Sequence, residues 1–313
     1  GFSEDIESII DHAPSKRQTL LFSATYPDEI SDISGRIQHR PLQLDVTDME
    51  MPAEIEQYWT SVQRDSRLQS LLELVEHFGG TLNIVFCNTK LDCAEVADYL
   101  RNENIAALAM HGDLEQFERT ETLIQFANES ATVLVATDVA ARGLDIGKVD
   151  VIFNFELPKQ PEIYVHRIGR TGRAGRKGRA VSLIAEKEHR RLSVIEDRLD
   201  AYTIEEFDLS RASGRSKGLI PPMTTIEVSG GRRHKLRPGD FLGAITATKE
   251  IPGSAVGKID VLENKTFVAI SKEHHTKAVQ ILTKELIKGR AFRVRSLHGV
   301  SSPEPVDPWA RHK

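Results

Sequence analysis

The sequence predicts an α/β protein: a parallel sheet covered by helices on both faces, followed by a smaller α+β unit of order βαββαβ. Three observations carry this. Residues 18–207 alternate short apolar runs with amphipathic stretches. A polar, basic, Gly- and Pro-punctuated segment follows, Ser210–Met223. The charge then reverses sign: residues 1–207 hold 22 Lys and Arg against 36 Asp and Glu, whereas residues 221–297 hold 14 against 7.

Taken in order, Thr19–Phe22, Asn83–Cys87, Ile105–Met110, Thr132–Ala136, Val149–Phe155 and Ala180–Ile184 read as buried strands. They are short, rich in Val, Ile and Leu, and bounded by polar or Gly-containing turns. Between them Ser66–Phe78 sets Leu68, Leu71, Leu72 and Val75 on one helical face, and Leu91–Arg101 and Leu114–Asn128 repeat the pattern. Strand–helix alternation implies parallel pairing, so ligands belong at the carboxyl ends of the strands. Beyond the linker, Thr224–Val228, Gly257–Leu262, Thr266–Ile270 and Ala291–Arg295 read as strands. Asp240–Ala247 and Glu273–Leu286 read as helices, the second with Ala278, Ile281 and Leu282 inward. The tail 298–313 is Pro-rich and expected to be disordered.

Composition excludes some classes. Two cysteines among 313 residues form no disulfide framework and no zinc spacing. Cys87 and Cys93 are expected to be packed thiols. No apolar run approaches the ~18 residues a membrane span needs. GFSEDIESII does not read as a signal peptide, and a cytoplasmic, thiol-reduced location is the expectation. The chain begins at Gly1 rather than Met, so it is expected to be a piece of a longer protein.

The loops after the strands carry the chemistry. After TLLF stands Ser23-Ala24-Thr25, a hydroxyl-bearing helix entry. After NIVFC stands Asn88-Thr89-Lys90, which suits a phosphate at a helix start, with an ordinary N-cap as the plainer reading of the motif alone. After TVLVA stands Thr137-Asp138-Val139-Ala140-Ala141-Arg142-Gly143-Leu144-Asp145. It offers two carboxylates and a guanidinium, read either as a carboxylate accepting from a ribose hydroxyl or as a capped loop with an internal Arg–Asp pair. From His166 to Arg179 run five Arg, one Lys and four Gly. Arg170 and Arg173, three apart, share a face on a helical turn and can hold charge on a transferring phosphoryl group. A solvated basic loop is the plain alternative.

Together these stretches resemble the DEAD-box RNA helicases. SAT is similar to motif III, IVFCNT to motif IV, Gln116 and Arg119 to motif IVa, ATDVAARGLDI to motif V and HRIGRTGRAGRKG to motif VI. The resemblance covers about residues 1–207 and implies a second RecA-like domain (48–207) preceded by the last part of a first (1–47). It implies that Arg170 and Arg173 reach ATP phosphates, that Asp145 contacts the ribose, and that His166 joins the inter-domain network. It further implies that Ser23, Thr25 and Arg142 couple the lobes, and that Thr89, Gly112, Arg119 and Thr137 hold RNA phosphates. The cofactors implied are ATP and Mg²⁺. The family's Gly-x-x-x-x-Gly-Lys-Ser/Thr and Asp-Glu-Ala-Asp are absent from the 313 residues. ATP hydrolysis by the chain alone is therefore not expected.

The basic unit, residues 223–297 after a linker at 208–222, has the order of an RRM-like RNA-binding fold. Its central strands offer only Phe267 for base stacking. The cations gather instead at Arg232, Arg233, Lys235 and Arg237, and at Lys288, Arg290, Arg293 and Arg295, which favours phosphate readout. GGRRHKLRPGDFLGAIT, VGKIDV and IKGRAFRVR resemble the DbpA-type RNA-binding domain. That resemblance implies structured 23S-type ribosomal RNA and pre-50S particles as partners, no membrane, and a monomer. A non-catalytic RNA-binding or annealing protein and a nucleotide-binding regulator are the competing readings.

Overall fold

Isolated apolar runs do not make strands without a ladder to join, and the chain shows both outcomes. In this computed structural model residues 3–22, 28–44, 55–141, 149–172, 175–199, 203–212 and 219–297 are described. The chain forms two units, Gly1–Glu50 and Met51–Lys313.

The first unit holds helices α1 (Ser3–Asp11) and α2 (Asp28–Ile37). The expected strand Thr19–Phe22 does not form; Leu20 and Phe22 are exposed, as are Leu42 and Leu44. The described residues of this unit hold no other strand, so TLLF has no edge to bond.

In the second unit the ladder is complete. Strands β1 (Ile55–Ser61), β2 (Asn83–Cys87), β3 (Ala107–Met110), β4 (Val133–Thr137), β5 (Val151–Asn154), β6 (Gly178–Ile184) and β7 (Glu205–Glu206) form one parallel sheet, ordered β3-β4-β2-β5-β6-β1-β7. Alternate residues feed two cores. Ile84, Phe86, Leu134, Ala136 and Ile152 face α5 (Gln116–Ala127), α7 (Pro161–Ile168) and α8 (His189–Leu199). Val85, Cys87, Val133, Val135 and Phe153 face α3 (Arg67–Phe78) and α4 (Lys90–Asn102). Both cysteines are free and fully buried, and burial pushes the Cys93 thiol up to about 11. The short α6 (Asp138–Ala141) follows β4 directly.

The chain is anchored just before the linker and again near its end. Phe207 packs against Tyr58, His77 and Phe78. Leu219 is buried in the core beneath α3 and α4, and its carbonyl accepts from Thr132 Oγ1 at 3.4 Å.

The C-terminal module is a four-stranded antiparallel sheet. Its strands are β8 (Met223–Val228), β9 (Val256–Val261), β10 (Thr266–Ser271) and β11 (Val294–Leu297), in order β11-β8-β10-β9. Helices α9 (Pro238–Thr246) and α10 (His275–Lys284) cover one face through Ile226, Val228, Val268, Ile270, Phe241 and Ile281. The last strand begins at Val294, not Ala291. Lys288 and Gly289 are left-handed, and Ile287 pairs with Arg290, so a tight turn takes up the preceding residues. Residues 298–313 lie outside the described residues. No described helix is long and apolar enough to cross a membrane.

Candidate functional site

The parallel sheet puts the loops after β2, β3, β4 and β5 along one edge. Cys87 pairs with Thr137 and Ala136 with Met110, so these loops begin at neighbouring levels. One buried side chain ties three of them together. Arg167, from the last turn of α7, is 1% exposed. Its Nε and Nη2 donate to both Asp138 oxygens at 2.7 and 2.8 Å. Nη1 donates to Asn154 Oδ1 and the Glu156 carbonyl, at 3.1 and 2.7 Å, and Nη2 also reaches Asn88 Oδ1 at 2.9 Å. The guanidinium lies 5.1 Å from the Phe86 ring centre. Planar, fixed-fork donors suit this arrangement, which an ammonium could not reproduce.

The sequence offers Asp138 only as one of two carboxylates after the β4 strand, and gives Arg167 no role apart from the other arginines of its run. The signal available was the Arg beside His166 together with the first Asp after a strand, three elements upstream.

Several of the residues the sequence singles out lie in these loops and on the helices that follow them. Thr89 caps α4, accepting from the Asp92 amide at 3.1 Å. Lys90 Nζ bonds Asp113 at 2.7 Å, linking the β2 and β3 loops across the end of β4. That bond holds the Asp113 carboxyl below the ordinary carboxylate range. Gly112 is exposed, and a Cβ there would meet open space. Arg119, half-buried on α5, donates to the Ala140 carbonyl at 3.4 Å, so it lies against α6. Thr137 ends β4. His166 is exposed on α7, and Arg170 is half-buried in the turn after it. The buried Thr171 fastens that turn, its hydroxyl donating to the Val149 carbonyl at 2.6 Å. Gly172 follows with φ of 68°. Ser23, Thr25, Arg142, Asp145 and Arg173 lie outside the described residues. Among the described residues no His, Cys, Asp and Glu cluster could hold a metal ion.

The module builds a second candidate surface. Arg232, Lys235, Arg237 and Lys288 line an open groove of about 860 Å³ floored by Leu236 and Ile259. Lys288 Nζ donates to the Lys235 carbonyl and bonds Asp240, at 2.8 and 3.0 Å, closing one end. That ammonium holds the Asp240 carboxyl low. Two glycines let the basic loop lie flat. A Cβ on Gly230 would come 2.6 Å from the Phe292 ring, and one on Gly231 would come 2.3 Å from the Leu262 carbonyl. Gly231→Ala is therefore expected to destabilise the module by about 1–3 kcal/mol, read as an earlier urea transition of the whole chain.

Four of the predicted cations lie apart from the groove lining. Arg233 pairs with Glu263 at 3.2 Å, and Arg290 and Arg293 are exposed. Arg295 bonds Glu227 at 2.8 Å and Glu121 of α5 at 3.2 Å.

Residues 66–175 match the family described as Helicase conserved C-terminal domain, and residues 225–296 the family described as DbpA RNA binding domain. The chain is 43% identical over 297 residues to the ATP-dependent RNA helicase DbpA of Escherichia coli, covering 95% of this chain and 65% of that protein. It is 45% identical over 197 residues to the DEAD-box ATP-dependent RNA helicase CshA of Geobacillus kaustophilus, covering 63% and 42%. It thus spans less than two thirds of these relatives. The solved structure of S. cerevisiae Dbp5 bound to RNA and ADP BeF3 is 29% identical, with a TM-score of 0.58, covering 67% of this chain and 56% of that one.

Proposed function

Since the chain belongs to the DbpA-like DEAD-box RNA helicases, we propose that it supplies the second RecA-like lobe and the RNA-anchoring module of an ATP-dependent enzyme that opens short RNA duplexes. The observation that carries this reading is the Arg167 hub, which holds the loops after β2, β4 and β5 in one frame at the ligand edge of the sheet.

In that frame Arg170 and Arg173 hold charge on the transferring phosphoryl group, and Asp145 takes the ribose. His166, Ser23, Thr25 and Arg142 link the two lobes. Thr89, Gly112, Arg119 and Thr137 hold RNA phosphates, which brings affinity without reading sequence. The groove cations Arg232, Lys235, Arg237 and Lys288 hold a structured RNA by its phosphates, and Arg233, Arg290 and Arg293 extend the field around it. When bound, ATP with Mg²⁺ supplies the phosphoryl transfer that resets the enzyme. The four exposed side chains Leu20, Phe22, Leu42 and Leu44 suit strands of a first lobe and support its presence in the working protein.

The 313 residues contain no P-loop and no Asp-Glu-Ala-Asp. The chain by itself therefore binds RNA and does not turn over ATP. The RNA is large-subunit ribosomal RNA of the 23S type, met on pre-50S particles by a cytoplasmic monomer. The proposed boundaries are 48–207 for the lobe, 208–222 for the linker and 223–297 for the module.

The test joins this chain to its ATP-binding lobe and replaces Arg170 with alanine. RNA-stimulated ATP turnover is expected to fall about 10³-fold or more, with RNA affinity retained. Near-normal turnover would reject Arg170 as the phosphate-reaching residue.

A further inference from the structure

The sheet of the C-terminal module has a second face, and its middle is covered. Register places Arg295, Glu227, Phe267 and Asp260 in one cross-strand row and Leu297, Thr225 and Ala269 in the next. On this face Phe267 is 2% exposed, Thr225 0% and Leu297 6%. What covers them is the C-terminal half of α5 and the turn after it. Ile124 clusters with Phe267 and Leu297 rather than with either core of the large sheet. Thr225 Oγ1 meets Ser130 Oγ at 2.7 Å and accepts from Asn128 Nδ2 at 3.3 Å. Arg295 bridges Glu227 of the module and Glu121 of α5. Burial raises the Glu121 pKa and Arg295 opposes that rise, as expected of a carboxylate drawn into an interface.

We propose that this sheet face is a docking surface for α5 rather than for nucleic acid. It thereby fixes the basic groove of the module relative to the loops at the ligand edge of the large sheet. The second part rests on the reading of those loops as an RNA track. Helix α5 serves both ends: its first turns carry Gln116 and Arg119, and its last turns carry the dock. Phe267, the one aromatic available for stacking on the central strands, is spent on Ile124. Arg295 acts as a latch between the two domains.

Energy transfer tests the dock without reference to RNA. Dyes are placed by Val194→Cys on α8 and Leu242→Cys on α9, both exposed positions; the native thiols are fully buried. The otherwise unmodified chain is expected to give one narrow transfer distribution. Ile124→Glu, and separately Glu121→Arg, is expected to broaden it. A short RNA hairpin, followed by anisotropy, is expected to keep its affinity for both variants. An RNA long enough to reach from the groove to Arg119 is expected to lose affinity for them. A distribution already broad in the unmodified chain, or one that neither substitution changes, overturns the dock. Loss of hairpin binding in either variant with transfer unchanged would make the face an RNA surface instead. A chain that docks but binds no RNA sinks the RNA reading and leaves the docking surface standing.

Discussion

Arg167→Ala is expected to cost the large domain about 3–5 kcal/mol, as breaking a buried, hydrogen-bonded ion pair does. The loss is more than one charge pair. Asn154 Oδ1, Asn88 Oδ1 and the Glu156 carbonyl lose their donor together, and the Phe86 ring loses the cation over its face. Each buried acceptor left without a partner adds its own desolvation cost. Thermal unfolding of the chain should show a fall in Tm on the order of 10 °C for the lobe. Arg167→Lys should recover only a fraction, because one ammonium cannot meet acceptors spread over three loops. Full recovery by lysine would mean that charge alone, not the fork, holds the edge together.

The groove makes the second large prediction. Replacing Arg232, Lys235 and Arg237 together with glutamine should weaken RNA binding and flatten its salt dependence. If each meets a phosphate, the slope of log affinity against log salt should shrink by about one per residue. Titrating a fluorescent hairpin at several salt concentrations reads this. Lys288 is left in place because its bonds to the Lys235 carbonyl and Asp240 shape the loop itself. An unchanged slope would show that the groove does not carry the phosphates.

Much of this architecture is legible in the sequence, and the exceptions have physical causes. Strands β2 to β6 are short, apolar and bounded by turns, and each was expected within a few residues of where it lies. Strand β1 escaped notice because its inward positions include Gln57 and Thr60. Gln57 is met by the hydroxyl of Tyr164, which donates to it at 3.0 Å from a helix more than a hundred residues away. TLLF reads as a strand by composition, yet pairing is a tertiary property and the described residues offer it no partner. Arg167 was overlooked for a related reason. The repeated arginines of His166–Arg179 look alike in one dimension, and only the fold shows that Arg167 is the one buried among the loops. Phe267 stands out in the sequence as the one aromatic of the central strands, but its packing against Ile124 of α5 depends on two domains meeting.

Leu219 limits how far the module can travel. Buried under α3 and α4, it pins the chain only four residues before β8 begins at Met223. Four extended residues reach about 14 Å at most. A module that lets go of α5 therefore stays within a small radius of its seat. Its concentration at that seat is in the millimolar range expected of a short tether. Release and return become a local, first-order event, independent of how much protein the cell holds. A weak interface then suffices to keep the module seated most of the time.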